Sequence, residues 1–229
     1  MTLATEAIAG TCTARSVIGT PVGPILLART AQGLAGAWFL DDQQHHPRRF
    51  EAPDLPEDPL LATVAGAFTD YFAGRSMAWD SVVLDPVGSP FQLAVWRELR
   101  AIAPGTTTTY GAIAAALGVP GSARAVGTAV GRNPLGIVVP CHRVIGSDGS
   151  LTGYAGGLAR KRTLLRLEAE WRAGQPGGLE SAGHGNVDAA AAAVGRHPAS
   201  PPASAQTHGP SASGGAVHAA LPPGSGPMT

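Results

Sequence analysis

From about Gly174 to Thr229 the chain is built of Gly, Ala, Pro, Ser and His, in runs such as Asp188–Ala193 and Pro201–Gly214, with no large apolar residues at a regular spacing. A segment of this kind cannot bury enough apolar surface to offset the entropy of ordering it. Residues 174–229, about 55 residues, are therefore expected to be a disordered low-complexity tail, and the fold must close within the residues before it. His184, His197, His208 and His218 are scattered through the tail at spacings that make no compact ligand set.

Charge divides what remains. Residues 1–88 hold 5 Lys or Arg against 10 Asp or Glu, whereas residues 89–170 hold 9 basic against 4 acidic groups, nearly all of the basic ones Arg. A basic module joined to an acidic one fits phosphate contact, although solvated surfaces carry similar biases. No run of eighteen apolar residues occurs, which argues against a membrane span. Met1–Thr13 has no basic stretch leading into a long apolar one, so no secretory signal is expected. Two cysteines, Cys12 and Cys141, exclude a disulfide scaffold and point to a reducing, cytoplasmic setting.

The element pattern predicts an α/β (α+β) chain in two domains, 1–88 and 89–173. Ile25–Ala28 and Leu34–Phe39 are apolar runs bounded by turn signals at 20–24 and 32–33, an antiparallel hairpin or meander. Apolar residues at 60, 61, 64, 65, 68, 71 and 72 form a helical stripe that stops near Gly74, and Trp79–Leu84 is a further expected strand. In the second domain Ser89-Pro90 opens a helix that Pro104-Gly105 ends. Thr108 or Thr109 caps a helix over 110–117, Gly118–Gly121 turns, and Ser122 is expected to cap a third helix from Ala123 to Val130. Helix, short glycine-containing turn, helix is the helix-turn-helix pattern. The third helix is small-sided and offers the single long polar side chain of Arg124. That surface suits close approach to a narrow groove, or equally close packing against another helix.

Ile137–Val139 is expected to be a buried strand delivering Pro140-Cys141-His142-Arg143-Val144. A lone cysteine is usually a small buried hydrophobe. Here His142 and Arg143 flank it, and positive neighbours favour the nucleophilic thiolate. A glycine-rich loop with one aromatic, Leu151–Gly157, follows, then a basic helix over 160–168 with Leu164, Leu165 and Leu167 toward the core.

Pro140-Cys-His-Arg-Val144 resembles the signature of the O6-alkylguanine-DNA alkyltransferases, which reverse DNA damage directly. Thr20–Gly23, Phe91-Gln92 with Val95-Trp96, Tyr110-Gly111, Ala123–Gly127, Asn133-Pro134 and Gly153–Gly157 also resemble family motifs, in order, so the likeness covers roughly residues 15–170. The resemblance implies irreversible, single-turnover transfer of an alkyl group from O6-alkylguanine in double-stranded DNA, with O4-alkylthymine a further candidate, after base flipping. It implies Cys141 as acceptor, His142 as the base acting through a bridging water, and Glu168 as the carboxylate orienting His142. Asn133 would be the hinge between the recognition helix and the active-site strand. Tyr110 would rotate the target phosphate and donate to the base, and Arg124 would fill the gap in the stack. Ser122, Ala123 and Gly127 would meet DNA with them. The carbonyls of Cys141 and Val144 would accept from the guanine amine, the Ala155 amide would face O6, and Tyr154 would wall the pocket. The family often has Ser where Ala155 stands, a change that a backbone contact survives.

Neither cofactor nor metal is expected: Cys12 with His45 and His46 does not resemble the zinc ligands that some members carry. A monomer is expected. Three other functions compete with alkyl transfer. An alkyltransferase-like lesion-binding protein lacks the acceptor cysteine, a helix-turn-helix regulator needs base-reading side chains on its third helix, and a thiol hydrolase would turn over repeatedly.

Overall fold

The computed structural model describes residues 8–41, 43, 47 and 50–174. The expected tail disorder from residue 175 onward, and the remarks on His45 and His46, lie outside them. The strands β1 (Ala14–Ile18), β2 (Ile25–Arg29) and β3 (Leu34–Phe39) form an antiparallel meander in sequence order. Strand β3 is buried along its whole length because both its faces are covered. Leu34, Ala37 and Phe39 enter the main core, and Ala35 and Trp38 join a second cluster with Ile8, Leu26 and Ala28.

Helix α1 (Pro59–Phe72) begins at Asp58, whose carboxylate accepts from the amides of Leu60 and Leu61 and pairs with Arg29 at 3.0 Å. Its buried stripe is Leu61, Val64, Phe68, Tyr71 and Phe72, on the predicted face. Residues 79–84 are not the expected strand. The Val82 amide donates to the Trp79 carbonyl at 3.0 Å, which bends the segment, and only an isolated bridge from Leu84 to Leu34 meets the sheet. The apolar residues that suggested a strand are real core residues, Trp79 and Val82 being buried, but a turn delivers them.

Helix α2 (Pro90–Arg100) opens with a reciprocal cap between Ser89 and Gln92. A two-residue strand β4 (Thr108–Thr109) leads into α3 (Tyr110–Ala116), capped by Thr109, and a turn leads to α4 (Ala123–Gly131). Ser122 occupies the cap position of α4 but makes no capping hydrogen bond. Its backbone (φ −89°, ψ 24°) is near-helical rather than extended, which turns the hydroxyl away from the orphan amides. The Trp96 indole on α2 donates to the Ala129 carbonyl at 2.9 Å and anchors α4. Strand β5 (Val144–Ile145) pairs in parallel with β4, and α5 (Leu158–Arg172) closes the fold.

The main core is continuous from the sheet and α1 into α2–α5. Backbone bonds reinforce the junction: Ala37 of β3 donates to the Pro134 carbonyl at 2.8 Å, and Gly136 donates back to Ala37 at 2.9 Å. Among the described residues, no helix is long and apolar enough to cross a membrane.

Candidate active site

Residues 137–139 form a tight buried turn, not the expected strand. Val138 donates to Gly136, Val139 to Leu135 and Cys141 to Val139, all at 2.8 Å. Ile137 sits at φ +68°, a conformation that β-branched residues avoid at a cost of about 1–3 kcal/mol. Asn133 holds the turn. Its Nδ2 donates to the Val139 carbonyl at 2.8 Å and to Leu135 at 3.3 Å, and its Oδ1 accepts from the Leu135 amide at 3.0 Å. The same Nδ2 donates to Cys141 Sγ at 3.2 Å.

Cys141 opens a short 3₁₀ turn, Cys141–Arg143, that places three consecutive side chains in the interior. His142 Nε2 lies 2.7 Å from Glu168 Oε1, both side chains being fully buried. Glu168 reaches them from α5 and, among the described residues, is the side chain with the most hydrogen-bond partners. Oε1 also accepts from the Tyr71 hydroxyl at 2.8 Å and from Arg143 Nη2 at 2.8 Å. Oε2 accepts from Arg143 Nε at 2.8 Å and from the Gly105 amide at 3.1 Å. Burial alone would raise the Glu168 carboxyl, but His142 and Arg143 override it and hold the group well below the usual carboxylate range. An ionised Glu168 accepts only, so Nε2 must carry the proton of a neutral His142 and leave Nδ1 as its acceptor. Nδ1 is buried with no protein partner.

The flanking charges act differently from the sequence expectation. Arg143 is turned inward, with Nη1 on the Ile102 carbonyl and the rest of its guanidinium on Glu168, so its charge is neutralised there. The Cys141 thiol is pushed up by burial, against the opposing effects of the Asn133 hydrogen bond and the Lys161 charge. The resting group is therefore a thiol whose proton must be taken away. The cation that serves it is Lys161, fully buried, with Nζ donating to the carbonyls of Val144 at 2.5 Å and Thr152 at 2.7 Å. Burial lowers its ammonium to about 8, with the thiol acting in the opposite sense.

Two family models together span most of the described chain. The family model for the 6-O-methylguanine DNA methyltransferase, ribonuclease-like domain matches residues 14–86, and that for its DNA binding domain matches residues 90–170. The methylated-DNA–protein-cysteine methyltransferase of Mycobacterium leprae is 46% identical over 149 residues, covering 65% of this chain and 88% of the relative. That of Methanosarcina acetivorans is 43% identical over 155 residues, 67% of this chain and 96% of the relative. The chain belongs to the methylated-DNA–protein-cysteine methyltransferase family. Among solved structures, Mycobacterium tuberculosis OGT in complex with DNA is similar at TM-score 0.64 and 42% identity, covering 69% of this chain and 94% of that one.

The remaining candidate residues of this methyltransferase-family chain fall in two places. Val144 and Tyr154 adjoin the Cys141–Arg143 turn, and Ala155 follows Tyr154 in the 151–157 loop. The Tyr154 ring stands edge-on to His142 with centroids 6.5 Å apart, and its hydroxyl is buried without a protein partner. The Val144 carbonyl already accepts from Lys161, leaving one lone pair, and the Cys141 carbonyl accepts from the Val144 amide. The second place is the start of α4. Arg124 is exposed, while Val126, Ala129 and Val130 face inward. Gly127 lies against the Tyr110 ring, and the Tyr110 hydroxyl points to the Thr152 carbonyl at 3.4 Å. Three contributors escaped the sequence reasoning. Tyr71 sat in a helical stripe that reads as core, Lys161 sat in a basic helix that reads as surface, and Gly105 was taken only as a helix stop. At φ +69° Gly105 brings its amide to Glu168, and a Cβ there would lie 2.8 Å from the Glu168 carbonyl.

Proposed function

We propose that the chain repairs DNA by one irreversible transfer of an alkyl group from O6 of guanine in duplex DNA to Cys141, acting as a monomer. The observation that carries this is the buried His142–Glu168 contact at 2.7 Å, immediately next to a thiol held by Asn133. It supports a relay of nucleophile, base and orienting acid. The thiol proton passes through a water to Nδ1 of His142, while Glu168 supports the imidazolium. Sγ then attacks the alkyl carbon. The S–C bond forms as the C–O6 bond breaks, its electron pair leaves with guanine, and the thiol proton ends, in net, on guanine. The thioether has no route back, so the protein is spent after one event.

The reacting carbon lies inside the duplex, so the base must be flipped out, at a cost of a few kcal/mol. The small-sided α4 with exposed Arg124 supports minor-groove entry and filling of the vacated space. Tyr110, beside Gly127 and above Thr152, is placed between that helix and the pocket. In this account residues 1–88 and 89–173 are two domains, the first buttressing the second. Cys141→Ala should bind an O6-methylguanine duplex with near wild-type affinity and transfer nothing. Loss of binding together with transfer would mean that Cys141 serves the fold instead.

A further inference from the structure

Glu168 carries more donors than an orienting carboxylate needs, and one of them comes from the other end of the chain. Tyr71 lies in the last turn of α1, its ring packed edge-on to Phe72 at 5.2 Å and against Trp79 at 5.8 Å. It is wholly buried, and its hydroxyl donates at 2.8 Å to Oε1, the same oxygen that His142 Nε2 meets at 2.7 Å. Arg143 Nη2 is the third donor on this oxygen, and donors that share one oxygen compete for its electron density. Each weakens what the others receive, so the hydroxyl tempers how strongly Glu168 pulls on the imidazole.

We propose that Tyr71 is a positioning residue for the relay, through which the N-terminal segment tunes the proton acceptor of Cys141. This deepens the alkyl-transfer function proposed above and rests on it. The charged and titratable groups facing this pair are His142 and Arg143 from the 3₁₀ turn and Tyr154 from the 151–157 loop. Cys141 adjoins His142 in the chain, and the Lys161 charge acts on its thiol. Arg143 is a permanent cation, and burial holds the hydroxyls of Tyr71 and Tyr154 neutral far above ordinary pH. His142 is therefore the member of this group whose protonation changes as the relay operates.

Removing the hydroxyl leaves the ring packing in place and gives Oε1 to His142 and Arg143. Glu168 then holds the imidazolium more tightly, so His142 is protonated before it can act as a base over a wider range. In Tyr71→Phe the acid limb of the pH profile for Cys141 alkylation should move upward by about half a pH unit or more. The rate near that limb should fall about threefold to tenfold. The probe is iodoacetamide, with the modified peptide mapped to Cys141 so that Cys12 does not contribute. Phe72→Leu is the packing control, expected to lower the melting temperature without moving the limb. In the unaltered protein the Tyr71 hydroxyl proton provides a second reading by NMR, and its resonance should shift when Cys141 is alkylated.

A Tyr71→Phe profile that overlays the wild type, or a hydroxyl resonance unmoved by alkylation, overturns the proposal and leaves Tyr71 as a core residue. If the wild type itself fails to take an alkyl group from O6-methylguanine DNA onto Cys141, the function proposed above fails instead. The two failures are thus read from different experiments.

Discussion

Asn133 Nδ2 donates to Cys141 Sγ at 3.2 Å and to the Val139 carbonyl at 2.8 Å, so one amide group holds both the nucleophile and the strained turn before it. Asn133→Asp replaces that donor by an acceptor facing a sulfur and a carbonyl. A buried group left without its partner costs about 1–3 kcal/mol, so the variant should melt earlier. A thiolate beside a carboxylate is disfavoured as well. Alkylation of Cys141 by iodoacetamide at neutral pH should slow about tenfold or more. Wild-type reactivity in a folded Asn133→Asp protein would show that the contact is incidental.

Glu168 is no surface carboxylate balancing Arg160, Arg162 and Arg166: it is fully buried and bonded to His142 and Arg143. Glu168→Gln leaves Arg143 without its counter-charge. Breaking a buried pair costs about 3–5 kcal/mol, and denaturant unfolding should show a loss of that order. The same change removes the support for the imidazolium. Alkyl transfer should slow by about an order of magnitude or more, with DNA affinity largely kept. The folded-state carboxyl is held down, so its contribution to stability is full above its ordinary value of 4.5 and is lost as pH falls below it. The acid unfolding of Glu168→Gln should lack this component. Overlaid pH profiles for Cys141 alkylation in the two proteins would remove Glu168 from the relay.

Lys161 gives a pH signature of the same sign in an alkaline window, from a buried charge that costs stability rather than adding to it. Its ammonium is lowered from an ordinary 10.5 to about 8 by burial. Between those values the unfolded chain holds the proton and the folded one does not, so stability from this group rises with pH across the window. Below about 8 the full cost of burying the charge applies. In a Cys141→Ala background, which removes the thiol titration, the stability of the Lys161 protein should gain on that of Lys161→Met between pH 7.5 and 10. The gain should be about 1–2 kcal/mol after screening by solvent. A flat difference would place the ammonium in contact with water.

Arg124 separates DNA handling from chemistry. It is exposed at the start of α4. Arg124→Ala should lose repair of duplex substrate about tenfold to a thousandfold, the equivalent of a few kcal/mol of flipping cost. Reaction with free O6-methylguanine should change little. Equal losses on both substrates would assign Arg124 to the pocket or the fold.

How much of this was legible in the sequence depended on what each residue's neighbours did. The meander, the α1 stripe, the Ser89-Pro90 cap and the helix–turn–helix were set by local periodicity and turn chemistry, and the structure places them where expected. Trp79–Leu84 and Ile137–Val139 misled because apolar runs report burial, not backbone form. Both are turns: the first buries Trp79 and Val82 and leaves Val83 exposed, and the second is wholly buried and held by Asn133 from outside the run. The motif at 140–144 singled out Cys141 and His142 as candidates, and the structure puts them together in one buried 3₁₀ turn. Arg143 was misjudged because adjacency along the chain does not say which way a 3₁₀ turn points a side chain. Tyr71 lies 97 residues from Glu168, a distance that no local pattern spans.

The central claim is tested most directly by mixing the protein with excess duplex DNA carrying methyl-labelled O6-methylguanine and mapping the label. The account predicts that transfer stops at one methyl group per protein molecule, all of it in the peptide containing Cys141, with unmodified guanine left in the DNA. Continued turnover, or label on Cys12 or on any residue other than Cys141, would contradict it.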